Sequence, residues 1–123
     1  MLTGAFWIMA AAVLLGGFLL TMHLRAAPLP HWLIAPGHGF LGALSIALLF
    51  FALLHVGVRG AKYGVASFGA VSLAIAAPAF VLGLAIFVLK RCARRGASLA
   101  ISIHAVLAVT AFAVLLAYVG LGN

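Results

Sequence analysis

With 123 residues, 68% of them hydrophobic, and a mean hydropathy of +1.41, the chain has the length of one domain and is far too apolar for an ordinary soluble one. Seven Lys and Arg stand against no Asp or Glu, for a net charge of +7. Without carboxylates there is no triad, hydrolytic metal site or acidic proton relay, and no phosphate-binding loop is present, so the chain is not expected to be an enzyme or an ion pump.

A bilayer crossing takes about 20 mostly apolar residues, and four runs qualify, near 3–24, 37–58, 65–89 and 98–121. The first has no basic residue before it and is long enough to span, so it reads as a retained helix rather than a cleaved signal. Ala26-Ala27-Pro28-Leu29-Pro30-His31-Trp32 follows as an extended turn, since each proline fixes its own backbone and disfavours helix just before it. Trp32 is expected at headgroup depth. Pro36-Gly37 either starts the second helix or kinks its first turn. The connection from Gly57 to Gly64 is short and glycine-rich, as suits a tight turn between antiparallel helices. Pro78 lies well inside the third run, where a kink or a freed carbonyl is expected. The single cysteine, Cys92, sits among Lys90, Arg91, Arg94 and Arg95 and reads as an incidental loop thiol with no internal disulfide partner.

Four spans use nearly the whole chain, so residues 1–123 form a single transmembrane domain, an all-α, integral membrane four-helix bundle. Laying residues 10–57 on 76–123 without a gap puts Gly17 on Gly83, Arg25 on Arg91 and His38 on His104. That doubling predicts two tandem helical hairpins related by a pseudo-twofold axis along the membrane normal, because a repeat with an even number of spans keeps its orientation. The first and third connections hold Arg25, Lys90, Arg91, Arg94 and Arg95, and the second holds Arg59 and Lys62. The bias of basic residues toward the cytoplasm therefore places both termini on the periplasmic side of a bacterial inner membrane.

An ionisable side chain at membrane depth is costly and is a functional candidate by default. His104 lies about seven residues into the fourth run, roughly 10 Å at the helical rise. His38 and His104 each follow a loop arginine, Arg25 and Arg91, by 13 residues, which puts them near one depth. Two imidazoles facing each other across a pseudo-twofold axis are the metal ligands of one bis-histidine haem b. In that reading Gly42 and Ala108, one turn beyond the ligands, leave room for the porphyrin, and Arg25 and Arg91 meet its propionates. No C-x-x-C-H run exists, so such a haem is held by coordination and packing alone. The competing reading makes both histidines interfacial or carbonyl-bonded groups in an inert bundle.

Gly16, Gly17, Gly39, Gly42 and Gly83 point to close helix packing or to room for a flat ligand. His55 lies toward the other end of the second helix, and its repeat mate is Leu121, so it has no partner for a second haem. His23, His31 and Trp32 near the first loop are candidate donors to a quinone headgroup. The uncompensated basic loops call for lipid headgroups, propionates or an acidic partner. No basic face extends beyond the loops, so nucleic acid is not an expected partner.

The stretch His23-Leu24-Arg25-Ala26-Ala27-Pro28-Leu29-Pro30 with His38-Gly39-Phe40-Leu41-Gly42-Ala43-Leu44, and again His104-Ala105-Val106-Leu107-Ala108, resembles small four-helix membrane proteins of proteobacteria that have no established activity. In architecture the chain is also similar to cytochrome b561-type bundles, which hold haem b between helix histidines; only His38 and His104 carry over. The lack of a second matched pair departs from a two-haem electron path. The resemblance implies a haem-binding subunit, serving electron transfer or structure, within a larger respiratory or photosynthetic complex. The alternative is a redox-inactive accessory subunit that docks on a larger membrane enzyme.

Overall fold

A computed structural model describes residues 1–28, 32–56, 65–91 and 97–121. They form four helices, α1 (Leu2–Leu24), α2 (Ile34–Val56), α3 (Val65–Arg91) and α4 (Ala97–Leu121). Each is long and apolar enough to cross a membrane, as the four runs predicted. The reason is backbone chemistry: hydrocarbon offers no partner to N–H and C=O groups, and a helix satisfies them within itself. The helices are apolar on all sides rather than striped, and their outer faces carry Trp7, Leu14, Phe40, Val81, Leu99 and Val106 into the lipid region. The protein is a multi-pass membrane protein.

Helix ends follow local chemistry. The α1 backbone closes with Ala26 at φ 50°, where the Ala26 N–H donates to the His23 carbonyl and the Ala27 N–H to the Met22 carbonyl. This is the left-handed closure usually given to glycine, and an alanine there costs roughly 1–2 kcal/mol. Pro36 sits in the first turn of α2, where its missing N–H would have no helical partner anyway, and the Gly37 N–H makes the first bond, to the Leu33 carbonyl. The helix thus begins at Ile34, three residues before the run's expected start, with Pro36 inside it. Pro78 is accommodated within α3, which continues through it to Arg91.

The helices pack in a ring, α1 on α2, α2 on α3, α3 on α4 and α4 on α1, so that α1 is diagonal to α3 and α2 to α4. Contacts between α2 and α3 pair Gly42 with Phe80 and Leu53 with Gly69, an antiparallel order, and Phe6 of α1 stacks on Phe112 of α4 with ring centroids 5.5 Å apart. The core is built of small side chains. Ala5, Met9 and Ala12 of α1 and Ser72, Ala76 and Ala79 of α3 are buried, as are Ser45, Leu49 and Ala52 of α2 and Ala111, Leu115 and Tyr118 of α4. Small residues let membrane helices approach closely, which is where their dispersion energy comes from. At Gly69 the absent side chain seats Leu53 and Tyr118, whose nearest carbons lie 2.7 and 2.9 Å from where a Cβ would stand.

Those buried triads confirm the doubling and correct its register. Each buried residue of α2 lies 66 positions before its mate in α4, but each of α1 lies 67 before its mate in α3. The ungapped match is therefore one residue out in the first helices: Gly16, not Gly17, is the counterpart of Gly83, and Leu24, not Arg25, that of Arg91. The first hairpin carries one extra residue between its glycine and its histidine. Ser72 in α3 donates to the Ala111 carbonyl of α4 at 2.8 Å, whereas the corresponding α1 and α2 positions are Ala5 and Ser45, and Ser45 donates back to Gly42 of its own helix at 2.8 Å.

Arg25, just past the end of α1, and Lys90, near the end of α3, lie at one end of the bundle and are exposed. Arg59 and Lys62 of the second connection, with His31, Cys92, Arg94 and Arg95, lie outside the described residues. In a Cys92→Ser background, Arg25→Cys and Lys90→Cys should react with an impermeant thiol reagent from one face of the membrane and Leu121→Cys from the other. Labelling of Arg25→Cys and Leu121→Cys from the same face would contradict the three crossings, α2, α3 and α4, that separate them.

Candidate functional site

His38 on α2 and His104 on α4 meet across the bundle with ring centroids 5.9 Å apart and planes at 85°. Both are half-buried. The diagonal placement of α2 and α4 aims the two side chains at one another, and the shared 66-residue spacing puts them at one level. The pairing expected from the repeat is thus what the fold produces.

Each ring is tied to the first helix of its own hairpin. Nδ1 of His38 bonds the Ala12 carbonyl at 2.9 Å, and Nδ1 of His104 bonds the Ala79 carbonyl at 2.7 Å. A carbonyl only accepts, so Nδ1 carries the proton in both rings, and in the neutral ring Nε2 then presents a lone pair. Neither Nε2 has a hydrogen-bond partner among the described residues. No wholly buried side-chain nitrogen or oxygen lacks a partner there either, so each Nε2 keeps some access from outside the packed core.

The approach to those carbonyls depends on glycine. A Cβ on Gly16 would stand 2.8 Å from Cε1 of His38, and one on Gly83 would stand 3.0 Å from Cε1 of His104. A side chain at Gly16 would force the His38 ring to shift, and one at Gly83 would require the His104 ring to give by a few tenths of an ångström. Gly17, one position along, would meet nothing within 4 Å. In the sequence Gly16 and Gly83 read as packing glycines or as room for a flat ligand, and nothing there pointed to the carbonyls of Ala12 and Ala79. Any residue supplies a carbonyl, so that half of the site leaves no mark on the sequence.

The other expected site residues fall into place less uniformly. Gly42 lies one turn beyond His38, and the Phe80 ring borders the space beside it, 3.8 Å from where a Cβ would be. Ala108 is half-buried one turn beyond His104. Arg25 is exposed at the end of α1, and Arg91 is the last residue of α3. Both stand at the end of the bundle nearer the histidines, about 12–13 Å along the axis from the glycine pair. His23 is half-buried in the last turn of α1, and Trp32 lies exposed in the turn before α2. His55 is exposed near the C-terminus of α2, its Nδ1 donating to the Phe51 carbonyl of its own helix at 2.7 Å, well apart from the pair.

Two ligand nitrogens without a third define what the site can hold. Among the described residues no cluster of three or more His or Cys is placed to bind a metal ion, and the whole chain has no carboxylate side chain. A bare zinc site takes three or four protein ligands. Comparison with known protein families, with curated proteins and with solved structures finds no match to the chain.

The glycine notches give a direct test. Gly83→Leu should destabilise the bundle by about 1–3 kcal/mol through overpacking, although leucine is the better helix former. Gly17→Leu should change stability by no more than about 0.5 kcal/mol. Thermal unfolding in detergent micelles compares them, and equal losses would show that the ring contacts are not what the glycines serve.

Proposed function

We propose that the chain is a haem b-binding subunit of a bacterial inner membrane, with His38 and His104 as the two axial ligands of one haem. The observation that carries this reading is the matched tautomer of the pair: each Nδ1–H is held by a neighbouring helix carbonyl, leaving each Nε2 free to ligate. Metal-binding histidines are oriented and made more basic by such a bond on the other ring nitrogen. The ring centroids, 5.9 Å apart, bring the two side chains near enough to serve one ligand between them. A haem would bring its own ring nitrogens to the iron, so His38 and His104 would suffice to hold it.

Ala12 and Ala79 hold the rings in position, and Gly16 and Gly83 admit them. Arg25 and Arg91 are the cations nearest in sequence to that end of α1 and α3 and are suited to meet propionates, since arginine stems lie along apolar surface while the head stays in water. Phe80, already against Gly42, gives the site an aromatic wall. Haem b, bound there, supplies one-electron transfer. With a single ligand pair, the chain passes electrons only together with other redox centres, so the reading includes a larger respiratory or photosynthetic complex as partner, with a quinone near His23 and Trp32 as one acceptor class. The similarity to cytochrome b561-type bundles belongs to this proposal and extends to the histidine pair alone. Basic loops at the α1 and α3 ends favour periplasmic termini.

Protein purified from haem-replete cells should show the sharp reduced-minus-oxidised bands of low-spin haem b at one haem per chain. His38→Ala or His104→Ala should lose the haem or turn it high-spin, and His55→Ala should do neither. A colourless wild-type chain overturns the reading. The two histidines are then struts between helices, and the chain is a redox-inactive subunit whose apolar faces dock on a larger membrane enzyme.

A further inference from the structure

We propose that the second hairpin holds one anionic phospholipid on its outer face, with the phosphate at Lys90 and an acyl chain in a groove on α4. The proposal does not rest on the haem reading. Charge selects the head: Lys90 stands exposed in the last turn of α3, and the chain has no Asp or Glu to pair with it. A lysine there carries its ammonium to the headgroup layer while its stem lies along apolar surface, and cations beside a membrane attract anionic lipid. Helices α3 and α4 run antiparallel, as the bonds of Ser72 to Ala111 and of His104 to Ala79 show, so Lys90 lies at the end where α4 begins.

Below that end the lipid-facing side of α4 carries two shallow grooves that share Val106, one of about 260 Å³ running from Ser102 to Leu107 and the next of about 320 Å³ running from Ala105 to Thr110. They span roughly 8–20 Å from the start of α4, the depth of an acyl chain in one leaflet. The Ser102 hydroxyl donates to the Ser98 carbonyl at 3.1 Å and the Thr110 hydroxyl to the Val106 carbonyl at 2.8 Å. The hydroxyls of the grooves are thus already bonded within α4, and the surface that remains suits a hydrocarbon chain. The first hairpin differs in both parts. Counted by the repeat, the mate of Lys90 is His23 and the mate of Val106 is Phe40, which is 68% exposed and stands out from α2 at the level where the α4 grooves meet. One lipid per chain follows.

The test is native mass spectrometry of the full chain in detergent, with equal amounts of phosphatidylglycerol and phosphatidylcholine of the same acyl chains. The wild type should retain one phosphatidylglycerol, in preference to phosphatidylcholine by about fivefold, the effect of one basic residue beside an anionic headgroup. Lys90→Gln should abolish the preference and Lys90→Arg should keep it. Arg25→Gln, which removes the same charge at the same end of the first hairpin, should leave it unchanged. Val106→Phe gives α4 the side chain that Phe40 gives α2, and it should lower retention of the lipid while thermal unfolding stays as in the wild type. Equal retention of the two lipids by the wild type overturns the proposal, as does a loss in Arg25→Gln equal to that in Lys90→Gln. Full retention in Val106→Phe overturns the groove as the seat of the chain. A second copy of the protein in place of the lipid, released by Val106→Phe, overturns the proposal in favour of self-association. Haem adds its own mass in the same spectrum, so a haem-free chain that selects phosphatidylglycerol supports this proposal against the haem reading, and a haem-loaded chain that selects neither lipid does the reverse.

Discussion

An imidazole N–H inside a bilayer has no water to bond, and in this chain it has no carboxylate either. There is no Asp or Glu, and the one side-chain amide is Asn123 at the C-terminus. At the depth of His38 and His104 the acceptors on offer are backbone carbonyls, each already bonded within its helix but keeping a second lone pair. Reaching one requires the ring to lie against a neighbouring backbone. Glycine at Gly16 and Gly83 is therefore a steric requirement of the polar contact, and the close approach of α1 to α2 and of α3 to α4 follows from it. Interhelical hydrogen bonds of this kind contribute on the order of 0.6–2 kcal/mol each in membranes, so their larger effect is on geometry: they determine which nitrogen of each ring is left to do chemistry.

The alanine-rich core serves the same end. Ala5, Ala12, Ala76, Ala79 and Ala111 bring backbones close enough for carbonyls to be reached by side chains from the next helix, as Ser72 also shows by bonding the Ala111 carbonyl. A core of large residues would have separated the helices and left both histidines without acceptors. Bulk is placed outside instead, where Trp7, Phe40 and Leu99 face lipid.

Much of this was legible from the sequence because the bilayer imposes a length and forbids unpaired backbone. The four spans, their alternation and the facing of His38 and His104 all follow from run lengths and a shared spacing. The register of the repeat was not, because Gly16 and Gly17 are adjacent and either can be set against Gly83, while alanines and leucines match at any shift. The buried triads Ala5, Met9, Ala12 and Ser72, Ala76, Ala79, with the matching contacts of Gly16 and Gly83, decide between the two alignments. The placing of Phe80 beside Gly42 was equally hidden, since it depends on contact between α2 and α3, which no spacing within one helix encodes. Ser45 and Ser72 drew no notice as single hydroxyls among apolar neighbours, although both are buried.

The one-residue difference between the halves shows where the identity of each half resides. Histidine, glycine notch and accepting carbonyl all belong to the same hairpin, and the extra residue falls in the stretch that joins notch to ring, leaving every contact of the half-site unchanged. Each hairpin is thus a complete module, and the chain is its covalent dimer. The symmetry is broken away from the rings, where Ser72 bonds across to α4 while its mate Ala5 cannot bond across to α2. A protein built this way can vary one half's packing, and with it the surface offered to lipid or neighbour, without disturbing the centre that the two halves share.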